Sequence, residues 1–321
     1  MSDVPISTTV KSFLRHETIL AILLVLVLFV LAQQSDRFFT VPNLLNQGRL
    51  MTEVGLIALP MTFVIITGGI DLSVGSILGL CAILLGVFWH NLGIPLPIAM
   101  VLAIVVGAAC GLVNGLIITR FKVPPLIATL ATLALYRGFA EGISQARSVR
   151  GYPDWFFVLG QGEVLGVPTQ LWIFIALAIV AGLVLTYTTF GRATYAVGAN
   201  ETAARFSGIN VDRTKLLIYT AAGLVSGIAA VIFVSRVSTT RSDMGTGVEL
   251  DVITAVVLGG TSIFGGRGTI IGTVVGLVLV QALKNGLALS GVKGDGTIVV
   301  IGLVLILAIL ASNLFSRNGD G

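Results

Sequence analysis

Charge is scarce in this sequence: 11% of its 321 residues are Asp, Glu, Lys or Arg, against roughly a quarter in an ordinary soluble domain. Aromatic residues reach only 7%, too few to mark a sugar-stacking platform in the apolar stretches. No Gly-x-x-x-x-Gly-Lys-Ser/Thr run occurs, and no Gly is followed by Lys anywhere. The usual loop that cradles nucleotide phosphates is therefore missing, and the chain does not energise itself with ATP. The two histidines, His16 and His90, sit near no Ser or Cys in a nucleophile setting and form no His/Glu metal motif, which argues against an intramembrane enzyme. Cys81 and Cys110 lie inside apolar segments without metal-ligand spacing and read as packing residues. The net charge of +4 comes without a Lys/Arg cluster interleaved with aromatics, so nucleic acid is not a partner. No cofactor or metal is expected on this chain.

What is abundant is apolar. Hydrophobic residues make up 55% of the chain, Gly contributes 39 residues, and the mean hydropathy is +1.02. Lipid is the solvent for most of such a chain, and small residues let its helices approach closely. A span needs roughly 20 apolar residues, fewer where the helix is partly buried. That gauge predicts ten spans, near 19–34, 51–67, 72–89, 97–118, 124–140, 170–188, 214–234, 250–264, 269–289 and 297–313. The fold class is thus all-α and polytopic, a single transmembrane domain over 19–313, with an N-terminal segment 1–18 and a tail 314–321. The basic start at Lys11 and Arg15 before the apolar run Ile19 to Ala32 fits a signal peptide, but the many later spans favour an uncleaved first helix.

Glycine interrupts two of the apolar stretches, at Gly68-Gly69-Ile70-Asp71 and between Gly259-Gly260 and Gly265-Gly266. These segments read as broken or re-entrant helices and look like counterparts in two halves, the pattern of an internally repeated transporter. With ten crossings both termini share a side. Loops on that side carry ten Lys and Arg against eight opposite, so both termini are expected in the cytoplasm. The loop 189–215 contributes four of the ten: Arg192, Arg205, Arg213 and Lys215.

Within that loop Asn200 suits a helix N-cap, Glu201 suits the positive end of a helix dipole, and Gly208 suits a left-handed helix exit. A two-turn helix between spans follows, with Ala203, Phe206 and Ile209 on one face as an apolar knob for a partner groove. An ordinary capped helix on the membrane surface is the competing reading. Asp71, in the first broken segment, is either a pathway residue or a cap that accepts backbone N–H groups of a helix beginning at Leu72. Ser73 and Ser76 are placed beside it as candidate path residues, together with Thr129, Thr261, Ser262 and Asn285. Lys284 reads either as a snorkelling side chain near a helix end or as part of the path.

Four ordered motifs carry a resemblance. They are Gly68-Gly69-Ile70-Asp71-Leu72-Ser73-Val74-Gly75-Ser76, Pro124-Pro125-Leu126-Ile127-Ala128-Thr129-Leu130 with Tyr136-Arg137-Gly138, Asn200-Glu201-x-Ala203-Ala204-Arg205-x-x-Gly208-Ile209, and Leu258-Gly259-Gly260-Thr261-Ser262. The chain resembles, from about residue 35 to 310, the permeases of the ribose, xylose, arabinose and autoinducer group of ATP-binding-cassette importers, and its last motif is shared with related amino-acid permeases. Lys284 departs from the neutral polar residue expected there. The resemblance implies a multi-pass protein of the bacterial inner membrane that carries a monosaccharide-like solute. It also implies a cytoplasmic ATPase subunit using ATP and Mg, a periplasmic sugar-binding protein, and a second permease copy, identical or paralogous. On that reading Asn200, Glu201, Ala203, Ala204, Arg205, Phe206 and Gly208 form the ATPase-coupling helix. The rivals are a permease of the same kind for another small solute, such as an amino acid, and an ion-coupled secondary transporter using Asp71.

Overall fold

The computed structural model describes residues 36–292 continuously, together with 25, 28, 29, 33, 294, 296–303 and 306. The first expected span, all but scattered residues of it, and much of the tenth lie outside the described residues, as do the segments 1–18 and 314–321. The described chain is helical almost throughout. Its main elements are α1 (Val41–Ile66), α2 (Val74–Gly86, continued by a π-helical turn Val87–Asn91), α3 (Leu96–Arg120), α4 (Pro125–Ser144) and a short α5 (Asp154–Phe157). After a two-stranded hairpin, Glu163–Val164 with Val167–Pro168, come α6 (Thr169–Tyr187), α7 (Thr189–Ala199), α8 (Glu201–Phe206), α9 (Val211–Val237), α10 (Val248–Leu258) and α11 (Ile270–Leu289).

Among the described residues, seven helices are long and apolar enough to cross a membrane: α1, α2 with its π-turn, α3, α4, α6, α9 and α11. They correspond to the second to seventh and the ninth expected spans. The eighth, expected over 250–264, is corrected: α10 has 11 residues and stops at Leu258, so the chain turns through irregular backbone instead of continuing as helix. α1 starts ten residues earlier than its apolar run, because its polar first turns find partners; Gln47 Nε2 donates to Asn285 Oδ1 at 2.9 Å on α11. Pro at the first turn, where an N–H would be unsatisfied anyway, opens α3 and α4.

The core lies around α1. In its most apolar window 78% of residues are buried, against 17% for α6, so α1 is central and α6 faces the surroundings. α9 crosses α3 at backbone contact: a methyl group on Gly111 would overlap the Tyr219 carbonyl oxygen, and one on Gly223 the Gly107 carbonyl oxygen. Such approach is the small-residue packing that membrane helices use in place of a hydrophobic driving force. The loop after α9 returns against the start of α2, where a side chain at Gly75 would overlap the Gly245 carbonyl. Arg137 of α4 holds that loop by donating Nη1 to the carbonyls of Ser242 and Met244 at 2.7 and 2.9 Å.

Both Gly-broken segments begin with the same terminator. After α1, Gly68 N–H donates to Ile65 O and Gly69 N–H to Val64 O; after α10, Gly260 N–H donates to Val257 O and Thr261 N–H to Val256 O. Gly68 and Gly260 carry φ of 76° and 90°, the left-handed residue of a Schellman motif. The two then diverge. The first re-enters helix at Val74, and the second makes a turn closed by Ser262 N–H on Arg267 O before α11.

Candidate functional site

The loop between α6 and α9 folds into two short helices that share one residue as hinge. Asn200 ends α7 and caps α8, its Oδ1 accepting the Ala203 N–H at 2.9 Å. Gly208, at φ 83°, closes α8 with a further Schellman pair, Gly208 N–H on Arg205 O and Ile209 N–H on Ala204 O. The helix is braced by charge. Glu201 accepts from Arg205 at 3.0 Å and from Lys215 at 2.6 Å, and Asp212 accepts from Arg205 at 2.6 Å and from Lys122 at 2.8 Å. Partial burial alone raises the Glu201 pKa, but the hydrogen bonds from Lys215 and Arg205 outweigh it and leave the carboxyl below its ordinary range.

Phe206 is 89% exposed, an aromatic ring held outward on a rigid two-turn helix. Ala203 is exposed beside it. The third member of the expected knob is corrected: Ile209 turns inward and, with Ala204, packs on Val197 and Val211. Reversal of the chain at Gly208 takes Ile209 off the helical face it would otherwise share with Phe206.

Asp71 is fully buried between α1 and α2. Its Oδ1 accepts the Ser73 N–H at 2.9 Å and the Ser73 hydroxyl at 2.6 Å. The Ser73 hydroxyl in turn accepts from Asn114 Nδ2 at 2.7 Å, and Tyr136 donates its hydroxyl to the Cys110 carbonyl at 3.0 Å and reaches Asn114 Oδ1 at 3.3 Å. The expected start of this helix at Leu72 is corrected to Val74, since Asp71 bonds the N–H two residues on and holds Ser73 as the last residue outside the helix. Ser76 donates its hydroxyl to the Ser73 carbonyl at 2.7 Å, and Thr129 bridges to Ile70 O at 3.0 Å. Asp71, Ser73, Ser76 and Thr129 therefore belong to one buried polar cluster. Thr261 is buried in the second broken segment, where its hydroxyl finds no partner among the described residues, and Ser262 lies one residue on. Asn285 stands apart from both, bonded to Gln47 between α11 and α1.

Lys284 is paired: its Nζ reaches Asp251 Oδ2 at 2.5 Å across α10 and α11. Three further groups escaped the sequence reading. Asn114 and the hydroxyl of Tyr136 complete the Asp71 cluster, and Glu53, only 4% exposed, pairs with Arg236 at 2.6 Å. The signal for Glu53 was present, as a carboxylate inside an apolar span demands a partner.

The family model for the branched-chain amino acid transport system / permease component matches residues 43–309. The chain is 40% identical over 311 residues to the ribose import permease protein RbsC of Escherichia coli K12, covering 94% of this chain and 95% of that one. It is 38% identical over 304 residues to the autoinducer 2 import system permease protein LsrD of Escherichia coli O9:H4, covering 93% and 92%. No solved structure matches it.

Proposed function

We propose, from the premise that this chain belongs to the branched-chain amino acid transport system / permease component family, that it is the membrane-spanning permease of an ATP-driven importer for a monosaccharide-like solute. The observation that carries the reading is the likeness to import permeases for ribose and autoinducer 2 over more than nine tenths of the chain. The family's description names amino acids, but the solute class follows the relatives that match over more than nine tenths of their length. A permease of this kind moves its solute by alternating access and leaves ATP and Mg to a separate cytoplasmic ATPase, consistent with a sequence that has no phosphate loop. A periplasmic binding protein delivers the sugar, and a second permease copy completes the path at the inner membrane.

In this reading α8 is the docking element, with Phe206 as anchor and Ala203 beside it. Asn200, Glu201, Arg205 and Gly208 fix its ends and its seat, while Ala204 ties it to the body of the permease. Asp71, Ser73, Ser76, Thr129, Thr261, Ser262 and Asn285 are buried or half-buried polar groups in the apolar helices and in the two broken segments, where alternating access exposes them in turn. The test is uptake into proteoliposomes carrying the chain, its ATPase and its binding protein. ATP-dependent accumulation of labelled ribose or a related pentose is expected, with no ATP hydrolysis by the purified chain alone. Accumulation of leucine and no pentose would overturn the solute class, and robust hydrolysis by the single chain would overturn the permease reading itself.

A further inference from the structure

The inner side of α7 meets both broken segments at one point. At Gly198 a methyl group would overlap the Ile66 carbonyl oxygen, and it would lie 2.5 Å from the Gly266 nitrogen. Ile66 is the last residue of α1, and Gly266 lies in the turn before α11. These two are themselves joined, because Gly266 N–H donates to Ile66 O at 2.9 Å. Gly265, at φ 87°, closes the same junction: a methyl group there would lie 2.8 Å from Gly198 O and 3.2 Å from Gly68 N. One turn earlier on α7, the Tyr195 hydroxyl donates to the Gly268 carbonyl at 2.7 Å.

We propose that Gly198 and Tyr195 form the joint through which α7 moves the two broken segments together, with Tyr195 as a positioning residue for transport. The inference rests on the reading of α8 as the docking element and deepens it. α8 cannot shift alone, since Asn200 belongs to both helices and Ala204 packs on Val197 of α7. A displacement imposed at Phe206 therefore passes into α7. At the far side of α7 there is no side chain at Gly198 to give way, so backbone bears directly on backbone. Close-packed contacts transmit such displacements instead of absorbing them. The Tyr195 hydrogen bond adds direction: it grips the carbonyl of Gly268, so the second segment is pulled as well as pushed. The first segment follows through the Gly266 to Ile66 bond, and beyond Ile66 lies the Asp71 cluster.

The experiment compares wild type, Tyr195→Phe, Gly198→Ala and the exposed control Thr202→Ser, each reconstituted with the ATPase and the binding protein. ATP hydrolysis, solute uptake, ATPase association and melting temperature are all measured. Tyr195→Phe keeps the ring and loses one hydrogen bond, so association, hydrolysis and melting temperature should stay near wild type. Uptake per ATP hydrolysed should fall roughly two- to tenfold, the range one ordinary hydrogen bond supplies. Gly198→Ala should uncouple further or fail to assemble. A ratio of uptake to hydrolysis unchanged in Tyr195→Phe overturns the joint, whatever Gly198→Ala does. A ratio that falls only in step with lost stability and lost association overturns it too. Wild-type vesicles with no ATP-dependent uptake would instead sink the importer reading beneath it.

Discussion

Asp71 shows how one residue is held at a break between two apolar helices. Only one of its carboxyl oxygens accepts hydrogen bonds, both from Ser73, while Oδ2 has no partner among the described residues. The bonds that hold the turn before α2 are thus ones an amide oxygen accepts equally well. Asp71→Asn is expected to fold, assemble and transport close to wild type, whereas Asp71→Leu leaves the buried Ser73 N–H without its acceptor, at a cost of roughly 1 to 3 kcal/mol. Melting temperature and uptake of the two variants check this. An Asn variant that assembles but transports nothing would show that the charge itself is needed, as in an ion-coupled carrier. The sequence reading of Asp71 as a helix cap is corrected: its bonds go to Ser73, ahead of a helix that starts at Val74 with no side-chain cap; that two-residue turn is a local pattern, legible in the sequence. Its continuation to Asn114, 41 residues on, was not, because no local periodicity records which buried polar group meets which.

At the scale of an element, α8 lets its proposed docking role be tested apart from folding. Its ends were legible: Asn200 and Gly208 act through their own backbone and nearest neighbours, and both behave as their residue types require. Its outward face was only partly legible, since the reversal at Gly208 sends Ile209 inward. Phe206, 89% exposed, packs on nothing whose loss would unfold the chain. Phe206→Ala should therefore leave the melting temperature unchanged. If the ring fills a groove of the ATPase, binding should weaken roughly ten- to more than a hundredfold, the equivalent of about 1.5 to 3 kcal/mol for a buried Phe. Gly208→Val should distort the exit, because a β-branched residue resists positive φ. Normal ATPase affinity in both variants would reduce α8 to a surface helix.

For the whole molecule, one crossing separates the two long polar excursions: α6 lies between the hairpin of residues 163–168 and the helices α7 and α8. A crossing at α6, which is long and apolar enough for one, puts the hairpin and α8 on opposite sides of the membrane. Leu165, 90% exposed, and Thr202 offer sites for single cysteines, with Cys81 and Cys110 buried as a quiet background. A membrane-impermeant thiol reagent added outside intact cells should label Leu165→Cys and leave Thr202→Cys unmodified until the membrane is opened. Labelling of Thr202→Cys from outside would reverse the orientation and place α8 away from any cytoplasmic ATPase, against its proposed docking role. The slight excess of positive charge, counted in the sequence over ten crossings, is what leads to that expectation.

What the sequence by itself determined is what depends on composition and near neighbours. Lipid as solvent, the seven described helices long and apolar enough to cross a membrane, the absence of a nucleotide loop, the breaks at Gly68 and Gly260 and the capped helix at Asn200 are all of this kind. Each follows from the hydropathy of a window or from the φ preference and capping chemistry of one or two residues. The tertiary structure alone decided where those pieces meet. It placed Glu53 on Arg236, 183 residues away, paired Lys284 with Asp251, ended α10 after 11 residues and set Gly198 where α1 and the turn before α11 join. Such contacts depend on how helices cross and how closely their backbones approach. Any glycine-rich apolar segment permits many crossings, and only the mutual packing of all the helices selects one.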